Sequence, residues 1–298
     1  MNISIAENLI KQQFSPIENL SVKPAQATGS DNFIFRVGND LLIRLPRHAS
    51  SESQLKKEIK WLPLLSEVLP VSIPQIYFKG SPAPEFPFQW GIFKWIDGSI
   101  YDPLLFENTD HIVNTMVHFI HALWKADPSN GPEYGEHNNF RGQPLAERDK
   151  QTTEAIKTLP HFYKQETLTS LWNTACTMNV WNKPYIWVHG DLHWGNILTK
   201  NDNLSGIIDF GSLGLGDPAV DVMCAWILFS PEKRRLFKQK INVDTPTWTR
   251  GMGWALSFAA IALPYYLPKK HILADIASFT LDNIMADLQN GELFLTEI

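Results

Sequence analysis

The segment Val188–Gly211, VHGDLHWGNILTKNDNLSGIIDFG, constrains this chain more than any other. Two apolar runs, NILTK and SGIIDF, flank the turn-forming NDNL, which is a strand–turn–strand pattern. Centred between Asp202 and Asn203, such a hairpin sets Asn196 opposite Asp209, and opposed residues of an antiparallel pair share a face. A carboxamide oxygen beside a carboxylate suits a hard cation such as Mg²⁺, which takes one or two carboxylates together with phosphate oxygens and waters. Asp191 lies five residues before Asn196, after the apolar YIWV, and supplies a third acid that need not bind the metal. Solvated turn positions account for Asp202 and Asn203. They do not account for Asp209, which ends an apolar run, or Asp191, which follows one. A zinc site is a second chemistry: His189, Asp191 and His193 alternate, as ligands on an extended segment can. No further His or Cys cluster completes that shell, and it leaves Asn196 and Asp209 without a role.

Around this segment the pattern is α+β. Apolar spacing predicts a helix over Ile3–Phe14, and NFIFRV and LLIRL read as a hairpin about Gly38-Asn39-Asp40. Leu55, Ile59, Leu62 and Leu65 mark an amphipathic helix in which Pro63 is a kink or restart. PQIYF and FQWGIFKW read as strands, and Thr109–Lys125 as a helix. Asp127–Pro144 reads as a loop, and helices are expected over about 145–158, 164–178, 217–230 and 250–290. A boundary near Trp95–Gly98 divides a small antiparallel sheet lobe, residues 1–95, from a larger helical lobe, residues 96–298.

A net charge of −5 argues against a nucleic-acid partner. The longest apolar stretch, Trp254–Leu267, is broken by Pro264 and falls short of the ~20 residues of a membrane span. Glu7 and the absence of a long apolar run near the start argue against a secretory signal. Cys176 and Cys224 allow one disulfide but read first as reduced thiols of a reducing compartment. A cytoplasmic protein is expected.

HGDLHWGN and IDFG resemble the catalytic loop and metal-binding segment of the aminoglycoside phosphotransferase family, small-molecule kinases of the protein-kinase-like superfamily. GDPAVD, from Gly216 to Asp221, is similar as well. The resemblance implies a bilobal protein-kinase-like fold and transfer of the γ-phosphoryl group of ATP or GTP, with Mg²⁺, to a hydroxyl of a small molecule. An aminoglycoside-type or macrolide antibiotic is the expected acceptor, and a metabolite such as choline or homoserine the alternative. It makes Asp191 the base and Asn196 and Asp209 the metal ligands. GSDNFIFRV looks like the nucleotide-covering loop, with Ser30 near the phosphates. Arg44 stands where the family places a phosphate-contacting lysine, a departure that keeps the charge, and Glu58 is its partner. In FKWIDG, the Lys94 carbonyl and the Ile96 N–H are implied to meet the purine edge.

His189 reads as a brace of the loop backbone, and Asp217 and Asp221 as a helix cap and a loop brace. His193 and Trp194 read equally as acceptor contacts or packing. Asp275 and Asp282 share a helix face and offer an acidic wall for a polyamine, or a solvated surface. NNFRGQPLAERD, Asn138–Asp149, is an unusual loop-to-helix junction that either shapes the acceptor pocket or caps a helix. A nucleotide-binding pseudoenzyme remains a further alternative, against which the intact Asp191, Asn196 and Asp209 argue.

Overall fold

Alternation of side chains along one short strand explains how the first sheet is covered. In a computed structural model, describing residues 3–25, 31–105 and 110–291, strand β3 (Leu41–Pro46) buries Ile43 and Leu45 on one face and turns Leu42 and Arg44 to the other. Strands β1 (Val22–Pro24), β2 (Asn32–Val37), β4 (Ile76–Gly80) and β5 (Trp90–Lys94) complete an antiparallel sheet in the order β1-β2-β3-β5-β4. Helix α1 (Ile3–Gln13) supplies Ala6, Leu9 and Ile10 to the Ile43 face. Helix α2 (Ala49–Leu65) packs Leu55 and Ile59 against Leu42, Ile76 and Phe93 on the other. The turn between β2 and β3 carries Gly38 at φ +59°, as the GND sequence predicts. Pro63 lies inside α2 without ending it; the helix continues to Leu65.

The remaining chain is mainly helical: α3 (Asp110–Lys125), α4 (Asp149–Thr158), α5 (Gln165–Thr177), the short α6 (Ala219–Val222) and α7 (Cys224–Leu228), α8 (Pro231–Ile241), α9 (Thr245–Tyr266) and α10 (Ile272–Gln289). The single helix expected over 250–290 is two: Pro268 and the left-handed Lys270 separate α9 from α10. The helix expected over 217–230 is likewise divided, at Met223. Arg234 of α8 and Asp287 of α10 form a buried ion pair, and Trp226 Nε1 donates to the same carboxylate at 2.9 Å. The C-terminal end of α2 joins this larger core through Trp61, Leu62 and Leu65, and the Trp61 ring meets Trp187 at 5.0 Å. Cys176 and Cys224 are free thiols. No described helix is long and apolar enough to cross a membrane.

Two short antiparallel sheets carry the candidate site. Strand β7 (Ile186–Val188) pairs with β10 (Gly214–Gly216), and β6 (Ser99–Ile100), β8 (Ile197–Lys200) and β9 (Asn203–Ile207) form a three-stranded sheet. The β8–β9 hairpin closes one residue earlier than the sequence suggests. Asn201 and Asp202, at φ 50° and 60°, make a two-residue turn and Lys200 pairs with Asn203. Asn and Asp tolerate left-handed backbone, and such turns match the twist of a hairpin. A bulge between Leu198 and Thr199 shifts the register again, so Ile197 pairs with Ile207 and the Ile208 N–H donates to the Asn196 carbonyl at 2.9 Å. Asn196 therefore opposes Ile208, not Asp209.

Candidate active site

Register thus does not bring Asp209 to the site; backbone does. Asp209 leaves β9 in the left-handed conformation, φ 63°, and its exposed carboxylate accepts a long 3.4 Å bond from the Gly211 N–H. It lies near enough to Glu58 and to the His189 ring to push both of their titrations upward.

The loop between β7 and β8 is held from below. His189 is fully buried among Phe119 and Phe210, and its Nδ1 accepts the Asp191 N–H at 3.3 Å. Burial lowers its pKa to about 4, so it is a neutral acceptor. Asp221, also fully buried, accepts the His189 and Gly190 N–H groups at 3.1 and 2.8 Å. Burial pushes its carboxyl up to about 7 against those bonds. Asp217 accepts the Ala219 N–H and pairs with buried Arg250 at 2.7 Å. These acids are the cap and the brace that the sequence suggests.

Asp191 stands above this floor. Its side chain is 24% exposed, and Asn196 Nδ2 donates to its carbonyl at 3.0 Å and to Oδ2 at 3.4 Å. That direction of donation leaves Asn196 Oδ1 available as an oxygen ligand. His193 Nε2 lies 3.5 Å from Oδ2 and Arg141 Nη2 3.5 Å from Oδ1. Burial pushes the Asp191 carboxyl up, but His193 and Arg141 outweigh it and hold it well below the usual carboxylate range. His193 and Trp194 are buried and pack on Phe258 and Phe279.

Arg44 and Glu58 are brought together at 2.6 Å, from β3 and α2. Alternation puts Arg44 on the face that α2 covers, and Glu58 is fully buried there. Lys94 ends β5 with an exposed side chain and its N–H bonded to the Gln75 carbonyl; the Ile96 side chain rests on Gly206, and Arg36 stacks on Trp95. Ser30 lies outside the described residues. Among the described residues no three His, Cys, Asp or Glu side chains converge as a metal group, and His189 Nδ1 is already bonded. The donor set that remains is the hard one, the Asn196 carboxamide oxygen and the Asp209 carboxylate, which is the chemistry Mg²⁺ prefers.

Two site residues escape the sequence reading. Lys57, next to Glu58 on α2, donates to the Gly211 carbonyl at 2.8 Å and to the His137 carbonyl and Nδ1 at 3.1 Å, and so ties α2 to the segment carrying Asp209. Burial lowers its pKa to about 8. Nothing in a helical sequence marks it. Arg141 had a signal, the odd NNFRGQPLAERD junction. Buried Asn138 accepts the Gly135 N–H and donates to the Arg141 carbonyl, both at 3.0 Å, and fixes that backbone. Gly190, at φ +79°, lets the Arg141 stem pass: a Cβ there would meet Arg141 Cβ at 2.8 Å.

The model of one protein family, described as the phosphotransferase enzyme family (APH), matches residues 22–254. Three solved structures are similar in fold. The GDP complex of wild-type aminoglycoside 2'-phosphotransferase-IIIa has TM-score 0.74 and 22% identity over 98% of this chain and 100% of that one. The GDP and kanamycin complex of APH(2")-IIia has TM-score 0.72 and 21% identity over 97% and 99%. Macrolide 2'-phosphotransferase MphH from Brachybacterium faecium, as apoenzyme, has TM-score 0.64 and 16% identity over 94% and 97%. No curated protein matches the chain.

Proposed function

This chain belongs to the phosphotransferase enzyme family, a family of small-molecule phosphotransferases, and we propose that it moves the γ-phosphoryl group of ATP or GTP to a hydroxyl of a small molecule, with Asp191 as the base. The observation that carries this is the state of Asp191: an ionised, partly open carboxylate whose loop is braced from beneath by His189 and Asp221. In the proposed reaction Asp191 orients the acceptor hydroxyl and takes its proton late, because the transition state is largely dissociative.

Arg44, positioned by Glu58, faces the donor phosphates. Residues 1–95 form the nucleotide lobe, and the Lys94 carbonyl and Ile96 N–H take the purine edge. Ser30 belongs to the same proposal as the residue near the phosphates. Asn196 and Asp209 hold Mg²⁺, which supplies charge neutralisation on the phosphates when bound. GDP in two of the similar structures supports a nucleoside triphosphate as donor. Kanamycin in one of the similar structures and the macrolide named for another support an antibiotic hydroxyl, while Arg141 and Arg148 near Asp191 support an acceptor of different charge. A zinc hydrolase finds no support in the donors present.

The test is release of nucleoside diphosphate from ATP and GTP with Mg²⁺ over aminoglycosides, macrolides and small hydroxylated metabolites. Acceptor-dependent release, abolished by EDTA, is expected. Release that ignores every acceptor would count against the proposal.

A further inference from the structure

A cavity of about 420 Å³ is lined by Phe140, Arg141, Gln143, Arg148 and Gln151, with Glu136 and Asn139 at its exposed rim, and Arg141, 3.5 Å from Asp191, joins it to that acid. Its walls are cationic. Arg141 is shared with Asp191, yet its Nε and Nη1 are buried without a hydrogen-bond partner among the described residues. Arg148 is 8% exposed; its Nε donates to Ser257 Oγ at 3.0 Å, and among the described residues no carboxylate lies within ion-pair distance of it. Both guanidinium groups lie over the Trp254 ring, at 6.0 and 4.8 Å. Burial, and then the neighbouring Arg141, lower the Arg148 pKa to about 9, the signature of a cation held without its counter-charge.

Buried donors left open are costly, and two cations side by side repel. The fold holds them so by evident means. Asn138 pins the Arg141 carbonyl, and Trp254 carries both planes. Asn139 and Phe140 keep left-handed backbone at φ 54° and 57°, a strained state for a phenylalanine, and Phe140 is 43% exposed at the cavity. The acids in reach are Asp191, already engaged by Arg141, and rim Glu136. Asp282, one half of the acidic wall the sequence offered, lies beside Tyr163 instead.

We propose that this cavity is the acceptor subsite and that it takes an anionic oxygen group, a carboxylate or a phosphate, of the hydroxyl-bearing acceptor. The assignment rests on Asp191 as the base. Arg141 joins the two functions: one nitrogen stays near Asp191, and Nε and Nη1, enclosed in the structure as it stands, reach the anion when the guanidinium turns towards the cavity, so the acid group anchors the molecule and its hydroxyl lies over the Asp191 carboxylate. Charge-assisted bonds of this kind make such an acceptor bind about tenfold or more tighter than its neutral counterpart. A polycation meets repulsion in the same place.

The Nε–Hε resonances of Arg141 and Arg148, assigned with Arg148→Lys and Arg141→Lys, read the subsite directly. Glucuronate and glucose 6-phosphate separate the carboxylate and phosphate sources, with glucose as neutral and kanamycin as cationic control. The expected result is movement of both resonances by one or both anions and by neither control. Arg148→Met should weaken anion binding about tenfold, and Arg148→Lys less. Unmoved resonances with both anions, equal movement with glucose, or equal affinities in the two Arg148 variants would overturn the proposal. Nucleoside diphosphate release is measured on the same samples. Anion-shifted resonances with no phosphoryl transfer to any acceptor would leave an anion site, overturn its assignment to an acceptor and bring down the phosphotransfer reading.

Discussion

Two arginine–carboxylate pairs in this molecule are held in opposite ways. Arg44 and Glu58 meet at 2.6 Å, the carboxylate fully buried and the guanidinium nearly so, with Phe93 beneath it at 5.2 Å. Arg141 and Asp191 stand 3.5 Å apart, the acid is 24% exposed, and the arginine keeps unspent donors. In the first pair Glu58 Oε2 holds the guanidinium while Oε1 has no partner among the described residues, and burial on both sides makes the pair a strut between strand and helix. In the second, attraction is left over for a visitor. The same two residue types therefore give a closed strut or an open pair according to how near the fold brings them and how far it shuts them from solvent.

Breaking the strut should have the largest effect. Glu58→Ala leaves Arg44 charged, buried and alone, and a loss of about 3–5 kcal/mol in urea unfolding is expected. A loss below about 1 kcal/mol would mean the pair is not closed. Next comes Asp191→Asn, which should lower kcat at least about 100-fold while nucleotide binding by calorimetry is retained. Unchanged turnover would remove the distinction on which the comparison rests.

The brace under the open pair can be tested through pH. The fold raises Asp221 to about 7 from an ordinary 3.8. Between those values the unfolded chain has released a proton that the fold retains, so this group subtracts stability as pH rises from about 4 to about 7 and adds no slope beyond. Asp221→Asn should start below wild type at pH 4 and gain on it by up to about 1 kcal/mol per unit across that window, read from thermal midpoints. His189, lowered to about 4, works in the opposite sense: the unfolded chain takes up a proton below about 6.5 that the fold refuses. The smallest effect expected is at Lys57, which links the strut's helix to the Asp209 segment. Lys57→Met should reduce kcat by roughly tenfold, the equivalent of one charged hydrogen bond, with little change in midpoint.

What could be read from the sequence follows from the range of the forces involved. Asp191, Asn196 and Asp209 stood out because acids next to apolar runs need a reason, and the Arg44–Glu58 pairing followed from the resemblance. The hairpin register was misplaced because one residue of turn chemistry, left-handed Asp202, moves every pair beyond it, and the Leu198–Thr199 bulge is invisible in composition. Nothing in the sequence marks Lys57, because its partner Gly211 lies 154 residues away; Arg148, like Arg141, lies in the marked Asn138–Asp149 junction, but its partner Ser257 is 109 residues away. The helix expected over 250–290 was overextended because its apolar pattern runs on, while Pro268 and Lys270 fold the chain back on itself.

Helix α2 belongs to two interiors at once. Leu55 and Ile59 serve the sheet, and three residues further on Leu62 and Leu65 serve the large helical core. Neither part can shed this helix without baring apolar surface on the other, so a single melting event is expected of the two interiors. A polypeptide cut near residue 95 would carry the helix away and leave the larger piece with an open seam.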